Sequence, residues 1–262
     1  MKTVLVQRNN NFNYKDYVKR SAFDNDYKIF FKDNVTLIDQ DTEKIVAVYF
    51  KLPTKQFKLL LALQRIRYIK DVRTEGLKTQ SRIFGYRPRE TIRKDFCSST
   101  SLATENQYCH NLVCEFGKEL TKHYRHYCEK IFQEHKKITE EKILSDWIIK
   151  DTVFTSGIVN KNNPLKYHFD SGNFSNLYSN MVAFKHKVRG GHLVIPEYDL
   201  GLEIADCSVL LFDGQKILHG VTPIDYQGRN SYRYSIVYYT LKKMWNCEPL
   251  SEEIARVKRV KT

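Results

Sequence analysis

Eight short runs of β-branched and aromatic residues follow one another through the C-terminal half of the chain, separated by turn residues such as Gly190-Gly191 and Asp213-Gly214. The predicted strands are residues 152–159, 167–169, 181–187, 192–195, 202–204, 208–212, 217–219 and 233–241. Short strands at this spacing are typical of a double-sheet jelly roll. We therefore predict an α+β protein with a double-stranded β-helix (jelly roll) core, buttressed by helices.

The half of the chain before these strands has a different pattern. Apolar residues at helical spacing predict a helix that opens at Pro53 and Thr54, with Thr54 as its N-cap, and one long amphipathic helix over residues 110–137, with its histidines on the surface. Three β-branched and aromatic runs at 29–31, 35–38 and 45–50 predict a small meander. Residues 1–26 have no sustained period, and we expect them to be loosely structured.

These patterns divide the chain into three parts. Residues 1–80 are predicted to form N-terminal strands and a helix, a small α/β extension packed on the core. Residues 81–248 are predicted to form the core, with the double-stranded β-helix at about 151–243. Residues 249–262 form a basic tail, which we expect to be frayed from Arg256 onward.

Charge and cysteine content limit the classes of partner and compartment. The 262 residues carry a formal net charge of +13, which favours a polyanionic partner and leaves DNA, RNA and acidic protein open. The six cysteines include no Cys-x-x-Cys pair and the chain begins with no signal peptide, so we expect free thiols in a reducing compartment. No apolar run approaches the roughly 18 residues of a membrane span. An intracellular protein of the nucleus or cytoplasm is expected, its oligomeric state open and a monomer included.

A basic run covers residues 65–94, where ten Lys and Arg residues stand against three Asp and Glu. It contains Phe84, Arg87 and Arg89. Cations interleaved with aromatic rings suit a nucleic-acid strand, because the cations neutralise phosphates and the rings stack on bases. A solvated basic face with an ordinary turn explains the same composition equally well.

Two histidines and one aspartate have the composition of an iron(II) site. His168 and Asp170 alternate within a predicted strand end, so their side chains point to the same side, and His219 ends another predicted strand. A 2-His-1-carboxylate set leaves one face of the metal open and is diagnostic for non-haem iron oxygenases. His-x-Asp alone is a weak signal, and its combination with the arginine described next makes it specific.

Arg233 and Ser235 share one face of the last predicted strand. A guanidinium offers a dicarboxylate such as 2-oxoglutarate a bidentate and permanently charged anchor. Arg229 follows His219 at a compatible distance, but it lies in the predicted turn Gly228-Arg229-Asn230. Because a turn holds a side chain loosely, we favour Arg233 as the anchor.

A zinc site is an alternative for a group of nearby cysteines and histidines: Cys109, His110, Cys114, His123 and His126. The spacing lies outside the usual finger patterns. Buried cysteines and exposed helix histidines are the favoured interpretation.

Several segments resemble the TET/JBP family of iron(II)- and 2-oxoglutarate-dependent dioxygenases, which oxidise the 5-methyl group of pyrimidines in DNA. The matching segments are residues 84–89 (Phe-Gly-x-x-Pro-Arg), 168–170, 190–197, 211–214, 219–223 and 233–235. The His-x-Asp, His and Arg-x-Ser elements are shared by all double-stranded β-helix oxygenases. The segment at 84–89, the Gly-Gly…Pro-Glu segment and the His-Gly-Val-Thr-Pro segment are the ones that resemble the DNA-modifying branch.

The resemblance implies Fe(II) at His168, Asp170 and His219, 2-oxoglutarate on Arg233 and Ser235, and O2 as the oxidant. It implies DNA as the substrate and leaves open whether 5-methylcytosine or thymine is the target. A protein side-chain hydroxylase on the same fold and a non-catalytic DNA-binding module with a relict pocket are the alternatives. A metal-dependent cupin isomerase is a further possibility, although such a site has more histidines.

Overall fold

A computed structural model describes residues 1–72, 78–90 and 96–261 of the chain. Within these ranges the protein is a mixed α+β structure with two large sheets, one small ribbon and five α-helices. The helices are α1 (Phe57–Arg65), α2 (Ser101–Glu105), α3 (Gln107–Tyr127), α4 (Glu129–Lys142) and α5 (Leu250–Lys261). None of them, over the described residues, is both long enough and apolar enough to cross a membrane.

The larger sheet contains ten strands in the described part of the chain. Its order is β1-β3-β4-β14-β10-β17-β8-β6-β5, and β7 pairs with β6. The strands are β1 (Lys2–Val6), β3 (Val35–Asp39), β4 (Ile45–Lys51), β5 (Ile69–Val72), β6 (Lys78–Arg87), β7 (Ser98–Ser99), β8 (Ser156–Lys161), β10 (Ser179–His186), β14 (Ser208–Phe212) and β17 (Tyr232–Tyr239).

The smaller sheet contains five of the described strands in the order β2-β13-β12-β15-β9. These strands are β2 (Ile29–Phe31), β9 (Leu165–His168), β12 (Leu193–Ile195), β13 (Leu200–Leu202) and β15 (His219–Val221). A separate ribbon pairs β11 (Val188–Gly190) with β16 (Ile224–Tyr226).

The larger sheet is covered on both faces, as its alternating side chains require. In β17, Tyr234, Ile236 and Tyr238 pack into a core cluster shared with α1, α3 and α4. Val237, between them, packs into a second cluster that joins the larger sheet to β12, β13 and β15 of the smaller sheet. Successive residues of a strand point to opposite faces, so the chain forms three layers: helices, larger sheet and smaller sheet.

The N-terminal region is more ordered than its composition suggested. β1 lies parallel to β3 at the edge of the larger sheet, within the 1–26 segment that was expected to be loose. The prediction of a three-stranded meander is correct for β3 and β4, which pair antiparallel, and wrong for β2, which pairs with β13 of the other sheet. The N-terminal strands therefore extend both sheets, and the division at residue 80 stays a prediction.

Two helix predictions are corrected. The long helix predicted over 110–137 is two helices, because Cys128 has φ −135° and ψ 48°, outside the helical region. α1 begins at Phe57 with Gln56 as its N-cap, so Thr54 does not cap it. Phe132 and His135 of α4, which follows the break at Cys128, pack against Tyr124 of α3. As a result His135 is buried, not on the surface, and its Nε2 lies 2.7 Å from the Thr240 hydroxyl.

A disulfide fixes the segment before α5 to the core. Cys97 and Cys247 form a disulfide, so the prediction of free thiols is wrong for this pair; the two cysteines are 150 residues apart, and no local spacing signals their contact. Cys109, Cys114, Cys128 and Cys207 are free. The predicted frayed tail is instead helical through Lys261.

Candidate functional site

The two histidines and the aspartate singled out from the sequence lie together at the edge of the smaller sheet. His168 ends β9 and His219 begins β15, and the two residues are register partners in this antiparallel pair. Asp170 follows two residues after His168, with its Oδ1 3.7 Å from His168 Nε2 and 3.9 Å from His219 Nε2. The three potential ligand atoms lie within 4.8 Å of one another, close enough to surround one metal ion.

Backbone contacts fix which ring nitrogen of each histidine faces the aspartate. His168 Nδ1 lies 2.8 Å from the Lys166 carbonyl, and His219 Nδ1 lies 2.9 Å from the Ile217 carbonyl. A carbonyl only accepts, so each Nδ1 carries the proton and donates it. With the proton on Nδ1, each ring turns its Nε2 toward Asp170, which is the orientation a metal ligand needs.

His219 is held in the neutral form. Burial, followed by the neighbouring His168, lowers the pKa of His219 to about 4, although Asp170 opposes this shift. A histidine that is neutral near pH 7 keeps its lone pair available for a cation. The donor set, two imidazole nitrogens and a carboxylate oxygen on one side of an open cavity, fits iron(II) in the facial arrangement predicted from the sequence.

Gly214 forms the wall behind the carboxylate. A Cβ at this position would lie 2.2 Å from Asp170 Oδ2 and 3.3 Å from His219 Cε1. The Gly214 carbonyl also accepts a 2.8 Å hydrogen bond from the Asp170 backbone N–H. The sequence indicated only a turn at Asp213-Gly214, whereas the structure shows that the glycine leaves the space in which the carboxylate lies.

The three residues open into a cavity of about 600 Å³ between the two sheets. Residues from both sheets line it, apolar in the interior and polar near the triad and at the far end. The lining residues include Ile158, Asn160, Asn163, Leu165, Met181, Leu193, Phe212, Val221, Arg233, Ser235, Val237 and Tyr239. A concave space lined by apolar side chains together with convergent polar groups is the usual form of a small-molecule site.

Arg233 lies in the cavity wall as a cation without an acidic partner. Its side chain is buried, with 2 % of the residue exposed. In the described part of the chain, its Nη2 donates to the Gly191 carbonyl at 3.3 Å, its Nε has no partner, and no carboxylate pairs with it. Burial lowers the pKa of Arg233 to about 10, so the side chain stays charged near pH 7. A buried charge is costly unless it is paired, and an anion in the cavity would supply the missing partner.

Two further basic residues lie close to Arg233 without lining the cavity, and they were not identified from the sequence. Lys185 is the cross-strand partner of Arg233, and its ammonium donates to the Gly190 carbonyl at 3.1 Å. Burial and the Arg233 charge lower the pKa of Lys185. His192 is close enough that Lys185 and Arg233 both contribute to lowering its pKa, after burial. The local charge therefore favours an anionic ligand near Arg233, and only strand pairing brings these residues together.

Of the other two residues considered for binding the co-substrate, Ser235 lines the cavity and Arg229 does not. Ser235 is buried, lines the cavity and lies one alternation from Arg233 on β17, opposite Asn160 on β8. Arg229 is exposed in the turn before β17 and does not line the cavity. The geometry thus supports the preference for Arg233 over Arg229.

Two cations of the basic run at 65–94, Arg82 and Arg89, have carboxylate partners, whereas Arg65, Arg67 and Lys70 are exposed. Residues 73–77 and 91–95 lie outside the described residues. Phe84 is 0 % exposed and packs edge to face on Tyr238, with ring centroids 5.0 Å apart. Its ring is therefore not accessible to a base in this structure. The prediction that Phe84 contacts nucleic acid is wrong, because Phe84 is a core residue. Arg82 is buried and lies 2.5 Å from Glu105 Oε1.

Arg89 forms a two-point contact with a buried carboxylate. Its Nη2 and Nε lie 2.5 and 3.0 Å from Glu253 Oε1, and Glu253 is 1 % exposed. Glu253 Oε2 also accepts from the Cys97 backbone N–H at 2.9 Å. Burial raises the pKa of Glu253, but these hydrogen bonds outweigh burial and hold it below its ordinary value. Arg89 thus fastens α5 to the core, while Arg87 is half-buried in the strand pair of β6 and β7.

The Cys and His residues weighed as a zinc site do not form a cluster of three in the described part of the chain. Cys114 Sγ lies 3.6 Å from His110 Nε2. The same nitrogen also accepts a hydrogen bond from the Gly85 backbone N–H at 3.1 Å, so its lone pair is already used. Burial raises the pKa of Cys114 to about 12, which keeps it a neutral thiol.

Comparison with known proteins gives a fold relationship. No protein-family model and no curated protein sequence matches the chain. Among solved structures, the chain is similar to NgTET1 in complex with 5mC DNA, with a TM-score of 0.62, 13 % sequence identity, and coverage of 90 % of this chain and 89 % of that chain. A 2OG-Fe(II) oxygenase family protein from Burkholderia pseudomallei also matches, with a TM-score of 0.44, 10 % identity, and coverage of 73 % and 85 % of the two chains. The resemblance inferred from the sequence motifs is confirmed at the level of the fold shared with NgTET1.

Proposed function

We propose that this protein is an iron(II)- and 2-oxoglutarate-dependent dioxygenase that oxidises the 5-methyl group of a pyrimidine, 5-methylcytosine or thymine, in DNA. One observation carries the proposal. A 2-His-1-carboxylate set and a buried arginine with no carboxylate partner line the same cavity. The set is the ligand arrangement of non-haem iron oxygenases, and the arginine is suited to a dicarboxylate co-substrate.

The fold that we propose for this core is the double-stranded β-helix. Two sheets face each other across a shared apolar cluster, with β14, β10, β17 and β8 in one and β13, β12, β15 and β9 in the other. The fold of NgTET1, matched over 90 % of the chain, supports the same conclusion. In such a fold the cavity between the sheets is enclosed by rigid strands, which position ligands more precisely than loops do.

His168, Asp170 and His219 would hold the iron, and Arg233 with Ser235 would bind the far carboxylate of 2-oxoglutarate. Bound iron, 2-oxoglutarate and O2 supply the oxidising chemistry. The chain's own residues set the conditions for it: Nδ1 contacts fix the two imidazoles, and Gly214 leaves room for the Asp170 carboxylate. Met181, Leu193, Phe212 and Val221 add apolar side chains to the cavity wall, and less polar surroundings would strengthen the pairing of Arg233 with its anion.

DNA as the substrate is supported by the formal charge of +13 and by the fold shared with NgTET1, which was solved with 5mC DNA. A methyl group of a paired base points into the major groove and does not reach a cavity between two sheets. The target nucleotide would therefore leave the helix and enter the cavity. Such a cavity needs polar groups to select the base, and Asn160 on its wall is a candidate, whereas the Asn163 amide is already hydrogen-bonded to Gln80 and Asn160.

One observation favours a second candidate, a 2-oxoglutarate-dependent protein side-chain hydroxylase. Arg82 and Arg89 have carboxylate partners and Phe84 is buried, so part of the basic run that favoured nucleic acid has a structural role. The cavity and the proposed iron site would serve either substrate. A non-catalytic module is disfavoured, because the ligand set and Arg233 are both present.

The test is incubation of the protein with iron(II), 2-oxoglutarate and DNA that contains 5-methylcytosine, followed by mass spectrometry of the nucleosides and measurement of succinate. We expect an oxidised pyrimidine nucleoside together with succinate. Succinate that forms without any oxidised nucleoside would support the oxygenase chemistry and reject DNA as the substrate. No succinate with DNA or protein substrates would reject the enzyme itself.

A further inference from the structure

The N-terminal segment from residue 11 to residue 26 is fastened to the strand that carries His168. Lys19 N–H donates to the Tyr167 carbonyl and Tyr167 N–H donates to the Arg20 carbonyl, both at 2.9 Å. The Tyr167 hydroxyl donates to Asp26 Oδ2 at 2.9 Å, and Asp26 pairs with Arg20 at 2.7 Å. Hydrogen bonds of this kind add a short edge to β9, so the segment is in a fixed position beside the proposed iron site.

Ring contacts hold the same segment from a second side. Tyr17 meets Tyr167 edge to face with centroids 5.5 Å apart, and the Arg20 guanidinium lies 4.6 Å from the centre of the Tyr17 ring. Tyr167 is fully buried, so this anchor belongs to the core. The 3₁₀ turn at Tyr14–Asp16, capped by Asn13, therefore projects from a well-supported base.

At the mouth of the cavity this turn brings a second aromatic ring to Phe169. Phe169 lies between the ligands His168 and Asp170, lines the cavity and is 37 % exposed. Tyr14 is 49 % exposed, and its ring meets that of Phe169 at 67° with centroids 6.2 Å apart. Two rings left partly open to solvent at the mouth of a site are a typical arrangement for contacting a planar ligand.

We propose that Tyr14 and Phe169 form a stacking surface for a nucleobase of the substrate at the cavity mouth. This inference rests on the proposed function for its substrate class and adds residues that position the substrate. Phe169 presents a ring next to the proposed iron site, and Tyr14 buttresses that ring and widens the aromatic surface. Lys15 and Lys19 are exposed on the same segment and offer two cations for the phosphates, although residues 11–26 as a whole carry three Lys and Arg residues and three Asp residues.

The two exposed aromatic rings favour a base over an aliphatic side chain. A base offers a flat face to an aromatic ring, and stacking of one base on one ring is sequence-tolerant. Removal of a stacking ring weakens binding of a nucleic acid by about tenfold, within the range measured for such contacts. The effect should depend on aromaticity and not on apolar area alone.

The experiment compares Tyr14→Ala, Tyr14→Phe and Tyr14→Leu with the matched control Phe23→Ala. Phe23 belongs to the same segment and is 46 % exposed, and among the described residues it does not line the cavity. The readouts are the Kd for a short single-stranded oligodeoxynucleotide that contains 5-methylcytosine, at one fixed salt concentration, and the Kd for 2-oxoglutarate in the presence of iron(II).

We expect Tyr14→Ala and Tyr14→Leu to weaken oligonucleotide binding about tenfold, and Tyr14→Phe and Phe23→Ala to leave it unchanged. The affinity for 2-oxoglutarate should be the same in all four variants, which separates a positioning role from damage to the site. Equal binding by the Ala variant and the wild type, or full rescue by Leu, would overturn the inference. So would a wild type that binds no oligonucleotide.

Failure of the proposed reaction gives a different result. A wild type that binds the oligonucleotide with the expected Tyr14 dependence but produces no oxidised nucleoside would reject the reaction and support the stacking surface. A wild type that oxidises the base, while the Tyr14 variants bind the oligonucleotide equally well, would support the reaction and reject the stacking surface.

Discussion

Arginines in two regions of this molecule show how similar sequence signals acquire different roles. Arg233, in the cavity, is buried with no carboxylate partner in the described part of the chain. Arg89, in the basic run, holds the buried carboxylate of Glu253 through two nitrogens. Both guanidiniums have lost most of their water, but only one has a protein anion to compensate. An arginine that is buried and unpaired is a candidate ligand-binding group, while one with a buried glutamate is a structural fastener.

The largest expected effect tests the cavity directly. Asp170→Ala removes the one anionic ligand of the proposed iron site, so iron-dependent formation of succinate should be abolished while the fold is retained. Circular dichroism and thermal unfolding would verify the fold, and Asp225→Ala, at an exposed position, is the control. Wild-type turnover in Asp170→Ala would mean that the three residues do not hold the metal.

The second prediction tests the structural role of Arg89. Arg89→Ala leaves the Glu253 carboxylate buried without its cation and should lower the free energy of unfolding by about 3 kcal/mol. Arg87→Ala, at a half-buried position two residues earlier in the chain, should lower it by less than about 1 kcal/mol. Urea denaturation measures both. Similar losses of unfolding free energy in the two variants would show that the Arg89–Glu253 pair has no special structural role.

The same pair predicts a pH dependence. Because Arg89 and backbone N–H groups hold the pKa of Glu253 below its ordinary 4.5, the unfolded state binds this proton more readily than the folded state. The stabilisation is therefore present above about pH 4.5 and is lost as the pH falls through the lower pKa of the folded state. Arg89→Ala should lose less stability on acidification than the wild type does.

The third prediction separates the two candidate anchors of 2-oxoglutarate. Arg233→Lys keeps the charge but loses the planar fork, and should weaken 2-oxoglutarate binding about 10- to 30-fold. Arg229→Lys, in the exposed turn, should change it little. Calorimetric titration with iron(II) present distinguishes them. A loss of 2-oxoglutarate affinity in Arg229→Lys alone would show that Arg229, and not Arg233, binds the co-substrate.

The smallest expected effect concerns Arg87, a residue of the basic run that has no carboxylate partner among the described residues and could contact DNA. Each cation that neutralises a phosphate contributes about −0.9 to the log–log slope of DNA affinity against salt. Arg87→Ala should make that slope shallower by about one contact and reduce affinity for many sequences alike. Binding measured at two salt concentrations is sufficient. An unchanged slope would show that Arg87 is part of a solvated face.

The local pattern of the sequence determined the strand-rich C-terminal half, the neighbouring positions of His168 and Asp170, and the shared face of Arg233 and Ser235. These follow from alternation along a strand, which needs no tertiary information. The helix break at Cys128 and the order of β1 were not predictable in this way, because burial against neighbours outweighs weak local preferences.

Only the tertiary structure decided which side chains have partners. The pairing of Cys97 with Cys247 joins residues 150 positions apart, and that of Arg89 with Glu253 joins residues 164 positions apart. The sequence carries no local trace of either contact. Likewise Phe84 lies in a sequence context that suggests a ring for stacking on bases, but it is buried in the core. Tyr14 lies in a segment without a sustained pattern, and its ring contacts Phe169 at the cavity mouth. The sequence specifies which chemical groups are present, and the packing of the sheets determines which of them remain available to a ligand.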